Sequence, residues 1–340
     1  MMITRRSVLI SVGCAISLFS VPGLSSIIGR IKRVEPSMSP EDIRSMVTSG
    51  GVIFFNKGVF RVGEILVPSN CTIIGSGQLS YSRDGAWDGE GTLIIGGLNC
   101  SNAINVSIRN ITIDNFDSKG NALCGMTPKT GNIIVQDVTT RANNHGQLWE
   151  SNDHDPQNSN SIGNIIVKRC THYHGPNGFV TKHKSVSFIN CISYGVDVQS
   201  FVIVSDNINL KGRYSRAVNS NVISCTAFCK KGTSALRVYS RKYNNDNSVL
   251  GVDGVNIIDF SAHGDSINSV FIGDRQEKSG NGLRSYSAIN SENVYIKEEK
   301  KHSKNKMTIV ITFCKKVTID DGDDKIYMES AGAYAHRLTM

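Results

Sequence analysis

The chain has 340 residues, 39% hydrophobic and 19% charged, which is enough apolar content for a sizeable core and excludes a disordered polymer. Its formal charge of +8 suits a polyanionic partner, but no helix-turn-helix, RNP or zinc-finger spacing accompanies it, so nucleic acid is not expected as that partner. With 32 glycines against 7 prolines, many short strands and tight corners are favoured over a helical fold.

Residues 4–26 read TRRSVLISVGCAISLFSVPGLSS, with Arg5 and Arg6 ahead of a run that carries no charge from Ser7 through Gly29. Such a segment predicts export, to the periplasm or the cell exterior. Thr4, Arg5, Arg6, Val8 and Leu9 resemble a twin-arginine signal, with Val8 and Ile10 departing from it; a plain secretory signal is the alternative. No clean small-x-small cleavage site follows, and the run is long enough to serve as an uncleaved membrane anchor. Cys14 follows Val12 and Gly13 as in a lipoprotein box, but Ser11 stands where leucine is wanted. The predicted organisation is therefore an export or anchor segment over residues 1–30, one domain over 36–328 and a C-terminal tail over 329–340.

Ser39 can cap a short helix whose Pro40 has no amide to leave unpaired and whose Glu41 and Asp42 suit its positive end. Residues 50–77, GGVIFFNKGVFRVGEILVPSNCTIIGSG, follow as four apolar runs, each closed by Gly, Pro or Asn and too short for a helix. Gly50, Gly51, Val52, Gly58, Phe60, Val62, Pro68, Asn70, Ile73, Gly75 and Gly77 follow the order of the opening rung in the pectate-lyase-like superfamily. The segment resembles that superfamily, which implies an all-β, right-handed parallel β-helix (a solenoid) with a short N-terminal capping helix and chemistry on polysaccharide. The helix would plug the open end of the coil.

From residue 102 onward one phrase recurs, as in NVSIRNITIDN, NIIVQDVTTRA, NIIVKRCTHYH, SVSFINCISYG, NVISCTAF and VNIIDFSAHG. It aligns Ile111, Val138, Cys170, Cys191, Cys225 and Phe260 at uneven separations, each of the size of one coil. Stacking predicts that Cys170, Cys191 and Cys225 form a buried thiol column, and Asn110 and Asn190 corner positions beside it. The nine cysteines include no CxxC pair and no clustered zinc site. A second phrase, as in HGQLWES, NGFVTKHKS, QSFVIVSDN, SALRVYSRK and NSVFIGDRQ, predicts a neighbouring flank presenting Glu150, Lys182, His183, Asp206, Arg237, Arg241, Asp274 and Arg275. A polymer could lie along such a flank.

The loop after Arg141 concentrates His145, Trp149, Glu150, Asp153, His154 and Asp155, combining an aromatic platform with carboxylates for acid/base work. The next coil supplies His172, Tyr173, His174, Lys182 and His183. In a lyase reading, Lys182 or His183 removes the C5 proton of a uronate, Arg237 neutralises its carboxylate and Trp149 supports the ring. In a hydrolase reading, Glu150 with Asp153 or Asp155 supplies acid and base. The catalytic candidates are therefore Glu150, Asp153, Asp155, Lys182, His183 and His145, and the substrate-binding candidates Trp149, His174, Arg237, Tyr239 and Arg241. No cofactor is required, although Asp153 and Asp155 make a minimal oxygen pair for calcium.

Tyr194, Gly195 and Asp197 resemble the start of the alginate C5-epimerase motif, but Val198 and Gln199 replace its Pro-His. The Asn-Thr-Asp, Asp-Asp, Gly-His-Gly and Arg-Ile-Lys series of polygalacturonases is missing. Arg213 and Arg216 join Arg237 and Arg241 as candidate contacts to an acidic glycan. The expectation is an exported polysaccharide lyase or hydrolase, its partner an acidic polysaccharide. The alternative is a non-catalytic glycan-binding β-helix of the kind found in exopolysaccharide clusters, ahead of an epimerase or a tailspike-like depolymerase.

Overall fold

The computed structural model describes residues 31–207, 212–243, 248–264, 268–273, 286–288, 291–297, 308–312, 314–320, 325–331 and 336–339. The segment over 1–30 expected to direct export, with Cys14, and the expected flank residues Asp274 and Arg275 lie outside these. Among the described residues no helix is long and apolar enough to cross a membrane.

The one helix among the described residues, Pro40–Thr48, begins as its residues dictate: the Ser39 hydroxyl accepts from the Asp42 amide, and Ile43 and Val47 are its buried face. Arg44 ties it to the first coil by donating to the Val62 carbonyl at 2.6 Å. Beyond it the chain is a right-handed parallel β-helix, in keeping with the hand of parallel crossover connections.

Three parallel ladders form its sides. The first passes through Ile104–Asn115, Gly131–Ala142, Gly163–Lys168, Val186–Ile189, Val218–Ile223, Asp253–Ile258, Ser291–Lys297 and Cys314–Asp320. The second passes through Leu123–Gly125, His145–Glu150, Asn177–Lys182, Gln199–Ser205, Ser234–Tyr243, Asn268–Ile272 and Thr308–Ile311. The third continues from the far ends of Ile104–Asn115 and Gly131–Ala142 into Thr171–Tyr173, Ile192–Tyr194, Thr226–Cys229 and Ser261–Gly264.

The corner between the first and third ladders is made by a single left-handed residue in each coil. Asn110, Asp137, Arg169, Asn190, Ser224 and Asp259 all have φ between 50° and 53°. Their amides stay in use, Arg169 donating to Ile189, Asn190 to Ile223 and Ser224 to Ile258 in the next coil. The register also sets Ile111 against Val138. Cys170, Cys191 and Cys225 are fully buried, and the Cys191 amide lies 3.4 Å from the Cys225 sulfur, as a thiol column requires. All described cysteines are free.

Phe179, Phe188 and Phe201 fill the middle of the coil, Phe179 and Phe201 stacked at 5.0 Å with an interplanar angle of 14°. Each such ring contributes about 1.5–3 kcal/mol by leaving water. At the far end the direction reverses: Lys325–Ala331 pairs antiparallel with Cys314–Asp320, and His336–Thr339 with Thr308–Ile311. Within the expected tail, the described residues 329–331 and 336–339 belong to these strands and occupy hydrogen-bonding edges that a parallel stack would otherwise expose.

Candidate functional site

The predicted flank is the outer side of the second ladder. Pairing of Trp149 with Thr181 and of Glu150 with Lys182 fixes which way each residue points, because successive side chains alternate between interior and exterior. Trp149 falls on the inner side and is 0% exposed, so it is a core residue and not the sugar platform expected of it. Glu150, one residue on, faces outward.

There Glu150 meets Lys182 from the next coil and Asp206 from the one after. The Lys182 ammonium is 3.3 Å from Glu150 Oε1 and 3.4 Å from Asp206 Oδ2. Arg241 Nη2 lies 3.6 Å from the same Asp206 oxygen. The guanidiniums of Arg237 and Arg241 sit 4.4 and 5.1 Å from the centre of the Tyr239 ring. Residues 212–216 fold back over this cluster through bridges joining Asp153 to Tyr214 and Asp206 to Ser215. Ser215 then donates its hydroxyl to Glu150 at 3.0 Å. The side chains of Lys182 and Glu150 are each 11% exposed and that of Asp206 3%.

Burial disfavours the Lys182 ammonium, but Asp206 and then Glu150 outweigh it and raise its pKa above the usual lysine value. A lysine held protonated donates charge and does not take a proton, a state suited to a cationic role and not to that of the C5 base. His183 is no substitute: it is fully buried between the carbonyls of Thr127 at 3.2 Å and Lys184 at 3.3 Å, and burial keeps its pKa low. His145 bonds Asn121 at 3.0 Å, and burial followed by the field of Lys182 lowers its pKa to about 4.

The other loop carboxylates do local structural work. Asp153, 4% exposed, accepts from the Asp155 amide at 3.2 Å and from the Ser161 hydroxyl at 3.4 Å. Asp155 accepts from the Ser159 hydroxyl and from the amides of Gln157 and Ser159, bonds that hold its carboxyl below the usual range. Neither carboxylate is in the Lys182 cluster. Among the described residues no group of three or more His, Cys, Asp and Glu is placed to hold a metal ion. Arg213 donates to the Asn152 carbonyl, and Arg216 to the Gly251 carbonyl with Asp253 at 3.8 Å.

A second constellation lies on the outer side of the third ladder. Arg141, Tyr173, Tyr194, Phe228 and His263 occupy one row in register. Tyr173 stacks on Tyr194 at 5.1 Å, Tyr194 on Phe228 at 4.7 Å and Phe228 on His263 at 4.9 Å, with interplanar angles of 10°, 8° and 17°. A two-strand hairpin, Ser80–Tyr81 with Trp87–Asp88, adds Tyr81 5.8 Å from Tyr173 and Trp87 6.3 Å from it. Asp114 links the parts, accepting from Trp87 Nε1 at 2.7 Å and pairing with Arg141 at 2.9 Å. His174 is placed here, 5.4 Å from Tyr81, rather than in the Lys182 cluster. Tyr194 is a rung of this stack, and Asp197 pairs with Lys230 at 2.7 Å, so the epimerase-like triplet forms no acid/base group. The sequence signal for this row is its phase: each member lies three residues after the Cys170, Cys191, Cys225 and Phe260 column.

No protein-family model and no curated protein matches the chain. Among solved structures it is similar to a mutant tailspike protein of E. coli bacteriophage HK620 in complex with a hexasaccharide, at 11% identity and a TM-score of 0.48. That match covers 87% of this chain and 60% of the tailspike chain. The pectin methylesterase PemA from Erwinia chrysanthemi matches at 15% identity and TM-score 0.40, over 78% of this chain and 89% of its own. PfbA, a surface adhesin of Streptococcus pneumoniae, matches at 11% and 0.43, over 90% and 97%.

Proposed function

We propose that the protein is exported and acts on an extended polysaccharide as a hydrolase, with Glu150 and Asp206 as its working carboxylates. The observation that carries this reading is the convergence of both on the single Lys182 ammonium. Glycoside hydrolysis needs two carboxyl groups on either side of the scissile bond, one to protonate the leaving oxygen and one to activate water or attack the sugar. With both oxygens within 3.4 Å of one nitrogen, their separation is bounded at twice that distance. In this scheme Asp206, held against both Lys182 and Arg241, stays ionised as base or nucleophile, and Glu150, oriented by the Ser215 hydroxyl, carries the proton given to the leaving oxygen. Elimination is disfavoured because the protonated Lys182 and the enclosed His183 leave the lyase scheme without its base. The guanidiniums of Arg237 and Arg241 beside Tyr239 suit an acidic sugar approaching this flank.

The second reading, glycan binding without turnover, is favoured by one observation: the cluster is largely enclosed, Asp206 being 3% exposed at its side chain. One experiment separates the readings. The purified chain is incubated with oligogalacturonate, alginate and neutral glucans, and both reducing ends and ultraviolet-absorbing unsaturated uronate are followed. Hydrolysis predicts reducing ends without absorbance, lost in Glu150→Gln and in Asp206→Asn. Absorbance would refute hydrolysis, and retained binding with no product would establish the binding reading.

A further inference from the structure

We infer that the aromatic row on the third ladder is a separate binding surface for an uncharged glycan, distinct from the Lys182 cluster and independent of whether that cluster turns substrate over. Its composition differs in kind from the other flank. Two cations in contact with the row are neutralised in place, Arg141 by Asp114 at 2.9 Å and Lys230 by Asp197 at 2.7 Å. Cations paired in this way offer a polyanion little, whereas the row offers ring edges, hydroxyls and an imidazole to a neutral sugar.

The geometry repeats with the coil. Ring centroids of 4.7 to 5.1 Å from Tyr173 through His263 advance one aromatic per rung along the axis, a linear array matched to a linear polymer. Phe228 is 37% exposed, although a stacked phenyl ring with only a core role would be covered. At the other end Trp87 stands apart. It meets Tyr81 and Tyr173 at steep angles, 68° and 83°, and Arg141 lies 6.0 Å from its ring centre. Among the described residues no aromatic ring stacks parallel on Trp87, and its side chain is partly exposed, so it is the ring of this surface through which sugar contact can be read. Asp114 holds the indole by its Nε1 at 2.7 Å, which fixes its orientation before any sugar arrives.

The chain's 2 tryptophans make the test direct, because Trp149 is 0% exposed in the core and Trp87 is partly exposed on the row. Acrylamide quenching of the full-length protein is measured with cellohexaose, mannohexaose or trigalacturonate as probe. A Trp87→Phe variant identifies the quenchable component. We expect at least one neutral hexasaccharide to protect Trp87. Phe228→Leu and Tyr194→Ala should weaken that binding about fivefold to tenfold, the loss of one aromatic contact, and Tyr194→Phe, which keeps the stack, by less. Binding should be unchanged in the Glu150→Gln, Asp206→Asn double variant, so failure of the hydrolase reading leaves this result intact. The inference is overturned if neither neutral probe protects Trp87, if trigalacturonate alone does, or if Phe228→Leu and Tyr194→Ala lower thermal stability with protection unchanged. That last outcome would make the row a device for holding rungs together.

Discussion

A Lys182→Met variant retains most of the stem's apolar volume and removes the ammonium on which Glu150 and Asp206 converge. Two carboxylates would then share an enclosed site, their side chains 11% and 3% exposed, with Arg241 3.6 Å from only one of them. Breaking a buried ion pair by deleting one partner costs about 3–5 kcal/mol, most of it from the stranded charge. Because Arg241 continues to compensate Asp206, the lower end, about 3 kcal/mol, is expected here. The measurement is urea denaturation at neutral pH followed by circular dichroism, comparing wild type, Lys182→Met and the triple variant Lys182→Met, Glu150→Gln, Asp206→Asn. Removing all three charges should recover most of the loss, since well-packed neutral groups replace buried pairs at little cost. The reasoning fails if Lys182→Met is as stable as wild type, or if the triple variant is no more stable than the single one.

Three further outcomes are expected. Trp149→Ala should cost about 3–5 kcal/mol of stability from the cavity it leaves, whereas a groove-facing tryptophan would cost far less in the same denaturation assay. Ser39→Ala should destabilise the capping helix by about 1 kcal/mol, and helix ellipticity unchanged by the substitution would count against the cap. His172 is fully buried, and burial lowers its pKa from 6.5 to about 3. Between those values the unfolded chain binds a proton that the folded chain does not, so stability falls as pH drops through that window. His172→Asn should make the fall between pH 6.5 and 4 shallower, and an identical slope would show that His172 does not contribute.

The coil was legible because its signals are redundant. Each short run ends in Gly, Pro or Asn, and the phrase around Cys170, Cys191 and Cys225 repeats until its register is over-determined. The site was much less so, because it turns on parity. Trp149 and Glu150 are neighbours, and the alternation that sends one inward sends the other outward, so a one-residue difference in phase separates core from flank. Lys182 and Glu150 were placed on that flank, but the raised pKa of Lys182 depends on Asp206 as well, which arrives one coil later and whose effect on the ammonium no local pattern announces. Asp153 and Asp155 were attractive as a dense acidic loop, and they serve to close it. The aromatic row was readable in principle from Tyr173, Tyr194, Phe228 and His263 at constant phase. Its partners Tyr81 and Trp87 come from a hairpin three coils earlier in the chain than Tyr173 and carry no such phase.

The single left-handed residue that turns each coil from the first ladder into the third bears on how such a molecule can change its length. Between the first and third ladders, turning is done by one position, filled by Asn110, Asp137, Arg169, Asn190, Ser224 or Asp259, and not by a loop specific to its neighbours. A coil can therefore be gained or lost as a unit, advancing the stack by about 4.8 Å while every column keeps its phase. The ionic flank and the aromatic row would lengthen together, so the span of polymer the protein can grip is adjustable in whole turns without redesigning either face.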